Sequence, residues 1–218
     1  MSLTLTISKK PTGKTSTIDL RIDNPHLLIL GPVGAGKTVM CEHITNINEG
    51  TAFVYLGRDE RGNELRQARP FRAVAEDNFF THVPNTYLES PEHRTALTST
   101  LDAAAARAFE LGAVLIIEEA TLYLEADRAH FFNTVGDLTE AGVHIIFTDQ
   151  NIRDERALRR LAIGNIALLK NHLPGKSPIN QAYPELAAEN YPTARRGEFI
   201  LRTPSGFDVT THVVPNPR

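Results

Sequence analysis

Apolar and polar positions alternate at the start of the chain, in "LTLTISKK" and "KTSTIDLRI", with Pro11, Thr12 and Gly13 between the two runs. Alternation broken by turn chemistry predicts an antiparallel hairpin within residues 1–22. The pattern then changes. Short apolar runs follow ("HLLIL", "TAFVYL", "AVLIIEEA", "VHIIFTDQ" and "NIALLK"), and they read as strands buried on both faces. A helix is predicted from about Gly36 to Asn46. A second, "SPEHRTALTSTLDAAAARAFELG", has Ser90 as N-cap, Pro91 at the first helical position and Gly112 as the stop. "EADRAHFFNTVGDLTEAG", stopped by Gly142, reads as a third, and "IRDERALRRLA" as a fourth. "GEFILRT" and "FDVTTHVV" read as a closing hairpin. Strands alternating with helices predict an α/β domain with a mostly parallel sheet covered on both faces. The expected organisation is a single domain: hairpin 1–22, core 23–203, and a C-terminal strand and tail 204–218.

Composition narrows the class. The 218 residues carry a formal net charge of −3, so the molecule as a whole is not a basic nucleic-acid binder. DNA contacts would have to come from local clusters such as "RDERGNELRQARPFR" (58–72) or "RDERALRR" (153–160), either of which also suits a solvated surface with internal ion pairs. The single cysteine, Cys41, excludes an internal disulfide, and no cysteine–histidine spacing suggests zinc. No apolar run approaches a membrane span, and the N-terminus lacks the apolar core of a signal peptide. An intracellular, cytoplasmic location is expected.

Gly31-Pro32-Val33-Gly34-Ala35-Gly36-Lys37-Thr38 matches the phosphate-binding loop G-x-x-x-x-G-K-[ST] without a gap. Backbone N–H groups must wrap a polyphosphate there, and glycines allow both the close approach and the positive φ angles. The helix that follows presents its amides and dipole to the anion. Lys37 is placed to reach the β- and γ-phosphates of ATP, and the Thr38 hydroxyl to ligate Mg²⁺. A chance glycine-rich turn is the alternative, and the position between a buried strand and a helix counts against it.

"VLIIEEA" brings two acids to the end of a buried strand, where α/β sheets bind ligands. Glu118 is a candidate for the Mg²⁺ shell through water, and Glu119 for polarising the water that attacks the γ-phosphate. The same pair could instead be a helix N-cap pair. Gln150, at the end of "VHIIFTDQ", is a candidate sensor of the γ-phosphate, or an ordinary loop glutamine.

Taken together these residues resemble the FtsK/HerA superfamily of P-loop ATPases. "DNPHLLILGPVGAGKT" is similar to its first strand and phosphate loop, "IIEEA" to its acidic motif, and "AGVHIIFTDQ" to its sensor strand. "GNIALL" and "RRGEFIL" resemble the strands that follow, so the resemblance covers roughly residues 15 to 203. It implies a RecA-like core, a homo-oligomeric ring (a hexamer or similar), ATP with Mg²⁺, and double-stranded DNA in the central path. It also implies an arginine supplied by the neighbouring subunit. Arg153 and Arg156 are the candidates, with Arg128 and Arg195 open. Glu118 stands where the family usually has aspartate, and Asp149 where threonine is more usual. The small core resembles genome-packaging ATPases of internal-membrane viruses, which would add a capsid partner and, for the location, host cytoplasm or virion association. A plasmid or mobile-element transfer ATPase, with transfer-machinery partners, is the near alternative. A small-molecule kinase and a nucleotide-dependent adaptor are the alternatives from other classes.

Overall fold

The computed structural model describes residues 2–9, 15–21, 23–58, 71, 74–82, 90–150, 157, 160–161, 163–169, 181, 183 and 198–213. Strands β1 (Leu3–Lys9) and β2 (Thr15–Leu20) pair antiparallel, with a register shift between Thr6 and Ser8. The main sheet is built from β3 (His26–Leu30), β4 (Phe53–Arg58), β5 (Phe79–His82), β6 (Val114–Ile117), β7 (Ile145–Asp149), β8 (Asn165–Leu169), β9 (Glu198–Thr203) and β10 (Gly206–Val213). Its spatial order is β10-β9-β8-β3-β7-β6-β4-β5. From β8 to β5 every pairing is parallel, and β9 and β10 join as an antiparallel edge. The expected terminal hairpin is therefore present, and through the β8–β9 pairing it extends the central sheet.

Alternation along the strands divides the core into two layers. Leu28 and Leu30 face a cluster with Leu115, Ile117 and Phe147, covered by α2 (Pro91–Leu111), α3 (Ala120–Ala126) and α4 (Arg128–Glu140). Leu27 and Ile29 face the other cluster, which takes Met40, Cys41 and Ile44 from α1 (Lys37–Ile47) and Leu5, Ile7, Ile18 and Leu20 from the hairpin. A side-chain amide fastens the hairpin to α1. Asn48 accepts from the Thr6 amide and donates to the Thr6 carbonyl, both at 2.8 Å. It thereby acts as one rung of a sheet ladder.

The helix ends follow local chemistry. Ser90 Oγ accepts from the His93 amide, Pro91 opens α2, and Gly112 closes it in the left-handed conformation at φ 58°. The segment 125–142, expected as one helix, is divided at Asp127. That residue is extended, at φ −151°, and its carboxylate caps α4 by accepting from the His130 amide at 3.0 Å. Helix α3 ahead of it and the short strand β5 were not expected. "IRDERALRRLA" falls largely outside the described residues, although Ala157 and Arg160 are helical.

Candidate functional site

Because β3, β6, β7 and β8 run parallel, their C-terminal ends meet at one edge of the sheet. Leu30 is in register with both Asp149 and Leu168, and Ile117 with Phe147. The loop after β3 is held against its neighbours by backbone: Gly31 donates its amide to the Asp149 carbonyl at 3.2 Å. A Cβ on Gly31 would lie 2.8 Å from the Leu169 carbonyl oxygen, so that position excludes a side chain. Gly34 and Gly36 adopt φ of 74° and 101°. Pro32 is half-buried, Val33 projects with 79% of its surface exposed, and Ala35 is buried. Gly36 is the N-cap of α1 and has no side chain to satisfy the amides of the first turn, so those amides point at the loop. Thr38 lies half-buried in that turn.

Lys37 folds back over the loop, its Nζ donating to the carbonyls of Gly31 at 2.7 Å and Pro32 at 3.2 Å. Burial pulls its ammonium below the ordinary value, and the charges of Asp149, Glu119 and Glu118 oppose that pull. These four ionisable side chains therefore share one site.

The two glutamates just beyond β6 diverge. Glu118 is buried, and its Oε2 accepts a 2.5 Å hydrogen bond from the Tyr55 hydroxyl on β4. Gly57 makes this possible, because a Cβ there would overlap the Tyr55 phenol and come within 2.6 Å of its Cζ. Glu119 is half-buried and sits at φ 53°, ψ 52°, the single positive-φ non-glycine among the described residues. It occupies the N-cap position of α3 with no side-chain capping bond, on a left-handed rather than an extended backbone. A non-glycine residue held in this region stores strain, a recurring feature of working sites. Tyr123 is buried nearby; burial first, then the charges of Glu118 and Glu119, drive its hydroxyl pKa upward.

Gln150 is exposed in a bend after β7, with its amide donated to Asp149 Oδ1 at 2.7 Å. Arg128 lies at the start of α4 with its guanidinium 5.6 Å from the Phe132 ring centroid. Arg153, Arg156 and Arg195 lie outside the described residues. Sequence reasoning missed Tyr55 and Thr121 as parts of the site. The signal for Tyr55 was faint, a glycine two residues along an otherwise apolar strand; for Thr121 it was adjacency to the acids.

The oxygen donors present suit Mg²⁺, a hard cation that prefers carboxylate, hydroxyl and phosphate oxygens. Thr38 and Glu118 are the side chains that would hold it, directly or through water, if the sequence assignment is followed. Bound there with a nucleotide, the ion would neutralise charge developing on the phosphates.

No protein-family model and no curated protein matches the sequence. Solved structures do match the fold. The genome-packaging NTPase B204 of Sulfolobus turreted icosahedral virus 2, bound to ATP-γ-S, superimposes with a TM-score of 0.62 at 16% identity, over 90% of this chain and 100% of that one. B204 of Sulfolobus turreted icosahedral virus, a DNA-packaging ATPase, gives 0.61 at 15% identity, over 89% and 98%. ATPases 2 and 3 of Thermomonospora curvata EccC, in complex with a signal sequence peptide, give 0.59 at 12% identity, over 100% of this chain and 41% of that one. The chain has the mixed α/β fold of P-loop ATPases that the sequence resemblance implied, with a mostly parallel sheet and a separate N-terminal hairpin.

Proposed function

We propose that the chain is an ATP-hydrolysing motor that moves double-stranded DNA, with packaging of a viral genome into a capsid as its use. The observation that carries this reading is the convergence at one sheet edge of a complete phosphate loop, two divergent glutamates and the Asp149-Gln150 turn. The likeness to two packaging ATPases, over 90% and 89% of this chain and 100% and 98% of theirs, supports it. In this reading the loop amides and Lys37 bind the β- and γ-phosphates. Lys37 would exchange its present carbonyl partners for phosphate oxygens. Thr38 and the Glu118 carboxylate hold the metal shell. Glu119, half-buried at the start of α3, orients water for attack, and Gln150 senses the γ-phosphate. An arginine of a neighbouring subunit, with Arg153 and Arg156 as candidates, completes the site only on ring assembly.

The likeness to EccC favours one other reading, an ATPase of the same fold that acts on a protein substrate. The decisive assay is the ATPase rate with and without long double-stranded DNA, for wild type and Glu119→Gln, at a concentration where self-association is verified. Stimulation by DNA that disappears in Glu119→Gln is the expected result, with a loss of about 10²–10⁴-fold. Turnover indifferent to DNA would favour the protein-directed reading or a kinase. No turnover in an assembled ring would favour an adaptor.

A further inference from the structure

Asp149 stands between the two residues assigned to the attacking water and the γ-phosphate, and it is bonded toward both. Its carboxylate is buried, with only 6% of the residue exposed. Oδ2 accepts from the Thr121 amide at 2.8 Å and from the Thr121 hydroxyl at 2.5 Å. Oδ1 accepts from the Gln150 amide at 2.7 Å. Its backbone carbonyl accepts from Gly31, the first residue of the phosphate loop. Thr121 lies two residues after Glu119, inside the first turn of α3, and the Leu122 amide closes that turn onto the Glu119 carbonyl at 2.9 Å. One residue thus ties together the phosphate loop, the left-handed turn that presents Glu119, and the bend that presents Gln150.

We propose that Asp149 is a positioning residue for hydrolysis: its carboxylate is the clamp that sets Glu119 and Gln150 in register across the site. The inference rests on the ATPase reading above. The chemistry of the clamp requires a carboxylate of this length. Both oxygens act as acceptors of N–H groups, so an amide at the same place must turn its NH₂ toward one of those donors and lose that bond. A glutamate keeps the negative charge but carries the carboxylate about one bond length further, which a buried, doubly anchored site does not accommodate. Asp149 also contributes the largest of the charges that favour the Lys37 ammonium. That gives a competing role, charge compensation for Lys37, with a different kinetic signature. Losing charge compensation alters phosphate affinity, whereas losing register alters the chemical step. Displacements of about 1 Å at such a step cost on the order of 10²-fold.

The test compares wild type, Asp149→Asn, Asp149→Glu, Thr121→Val and Glu119→Gln for kcat and KM of DNA-stimulated ATP hydrolysis. Thermal midpoints and hydrogen exchange at the Thr121 amide are read alongside. The clamp predicts that Asp149→Asn and Asp149→Glu both lose about 10–100-fold in kcat with KM within about threefold, and that the Thr121 amide exchanges faster in Asp149→Asn. Thr121→Val, which removes one of the three donors and leaves the carboxylate, loses about 3–10-fold and carries the test if the Asp149 variants do not fold. An Asp149→Asn or Thr121→Val enzyme at wild-type kcat overturns the clamp while an inactive Glu119→Gln leaves the ATPase reading standing. A change confined to KM, rescued in Asp149→Glu, assigns Asp149 to Lys37 instead. A wild type without turnover in the assembled state overturns the ATPase reading and the clamp with it.

Discussion

At the N-terminal ends of β3, β7 and β8, His26, His144 and Asn165 are buried and hydrogen-bonded from strand to strand. His26 Nδ1 accepts from the Ile145 amide at 3.3 Å. Its Nε2 donates to the Thr139 hydroxyl at 3.1 Å, whose own proton goes to the Val135 carbonyl. Asn165 donates to the His26 carbonyl at 3.2 Å, and His144 Nδ1 meets the Pro25 carbonyl at 3.1 Å. About one strand length away, at the opposite edge, Lys37, Glu118, Glu119 and Asp149 gather charge, and Glu119 carries backbone strain. Both edges bury polar atoms against the same apolar strands. The first links neighbouring strands through neutral side chains and backbone; the second gathers ionisable groups beside a residue held in the left-handed region. On the proposed function the difference separates stability from chemistry within one sheet, and it can be broken from either side.

The largest effect is expected at the strained residue. Glu119→Gly removes the carboxylate and supplies the residue best suited to φ 53°. Hydrolysis should fall by about 10²–10⁴-fold. Stability should hold or rise by up to about 1 kcal/mol, because relief of strain is partly offset by the greater freedom of glycine in the unfolded chain. Paired thermal unfolding and ATPase measurements check this. A destabilisation of more than about 2 kcal/mol would make Glu119 a structural residue like those at the far edge.

Acid should strike the opposite edge next. Burial, then the neighbouring His144, pull the His26 pKa down to about 3. Its pKa in the folded chain is thus below the unfolded value of 6.5, so the neutral form is the one the fold holds. The associated stability is intact above pH 6.5 and drains away between 6.5 and 3, at up to ~1.4 kcal/mol per pH unit. His43 and His144, both shifted downward chiefly by burial, add in the same direction. Denaturant unfolding across this range in wild type and His26→Gln measures the slope. An unchanged slope in the variant would remove His26 from the account.

What could be read from the sequence followed from how local the determining contacts are. The glycine loop before α1, the Ser90 cap and the Gly112 stop are each set by residues within a few positions of one another, and all appear where the pattern placed them. The strand ends were legible because buried parallel strands leave uninterrupted apolar runs. The break at Asp127 was hidden by apolar spacing that continues through it, although an aspartate three residues before His130 carries the capping signal. Strand β5, at four residues, is too short to show a period. The partners of Glu118 and Asp149 were out of reach for another reason. They join positions 63 and 28 residues apart, and a tyrosine in an apolar strand looks like any core aromatic.

The smallest expected effect falls on that tyrosine, which belongs by position to one kind of edge and by contact could belong to either. Tyr55 is itself 3% exposed and packs its ring against Phe71 and Phe79, at centroid distances of 5.0 and 5.3 Å, so its bulk is part of the core. Its hydroxyl alone reaches Glu118. Tyr55→Phe keeps the ring and deletes one donor to a buried carboxylate, a loss of about 1–3 kcal/mol in stability. If the hydroxyl also fixes where Glu118 meets the metal, the Mg²⁺ concentration for half-maximal nucleotide binding should rise by roughly three- to tenfold, about 1 kcal/mol of that bond acting through position. Gly57→Ala, which pushes a methyl group into the phenol, should shift Mg²⁺ dependence the same way through displacement rather than deletion. A stability loss with an unaltered Mg²⁺ requirement in both variants would place the Tyr55–Glu118 bond with the histidines of the far edge, as part of what holds the sheet together. Parallel shifts in both would instead carry the chemical edge one strand outward, onto β4.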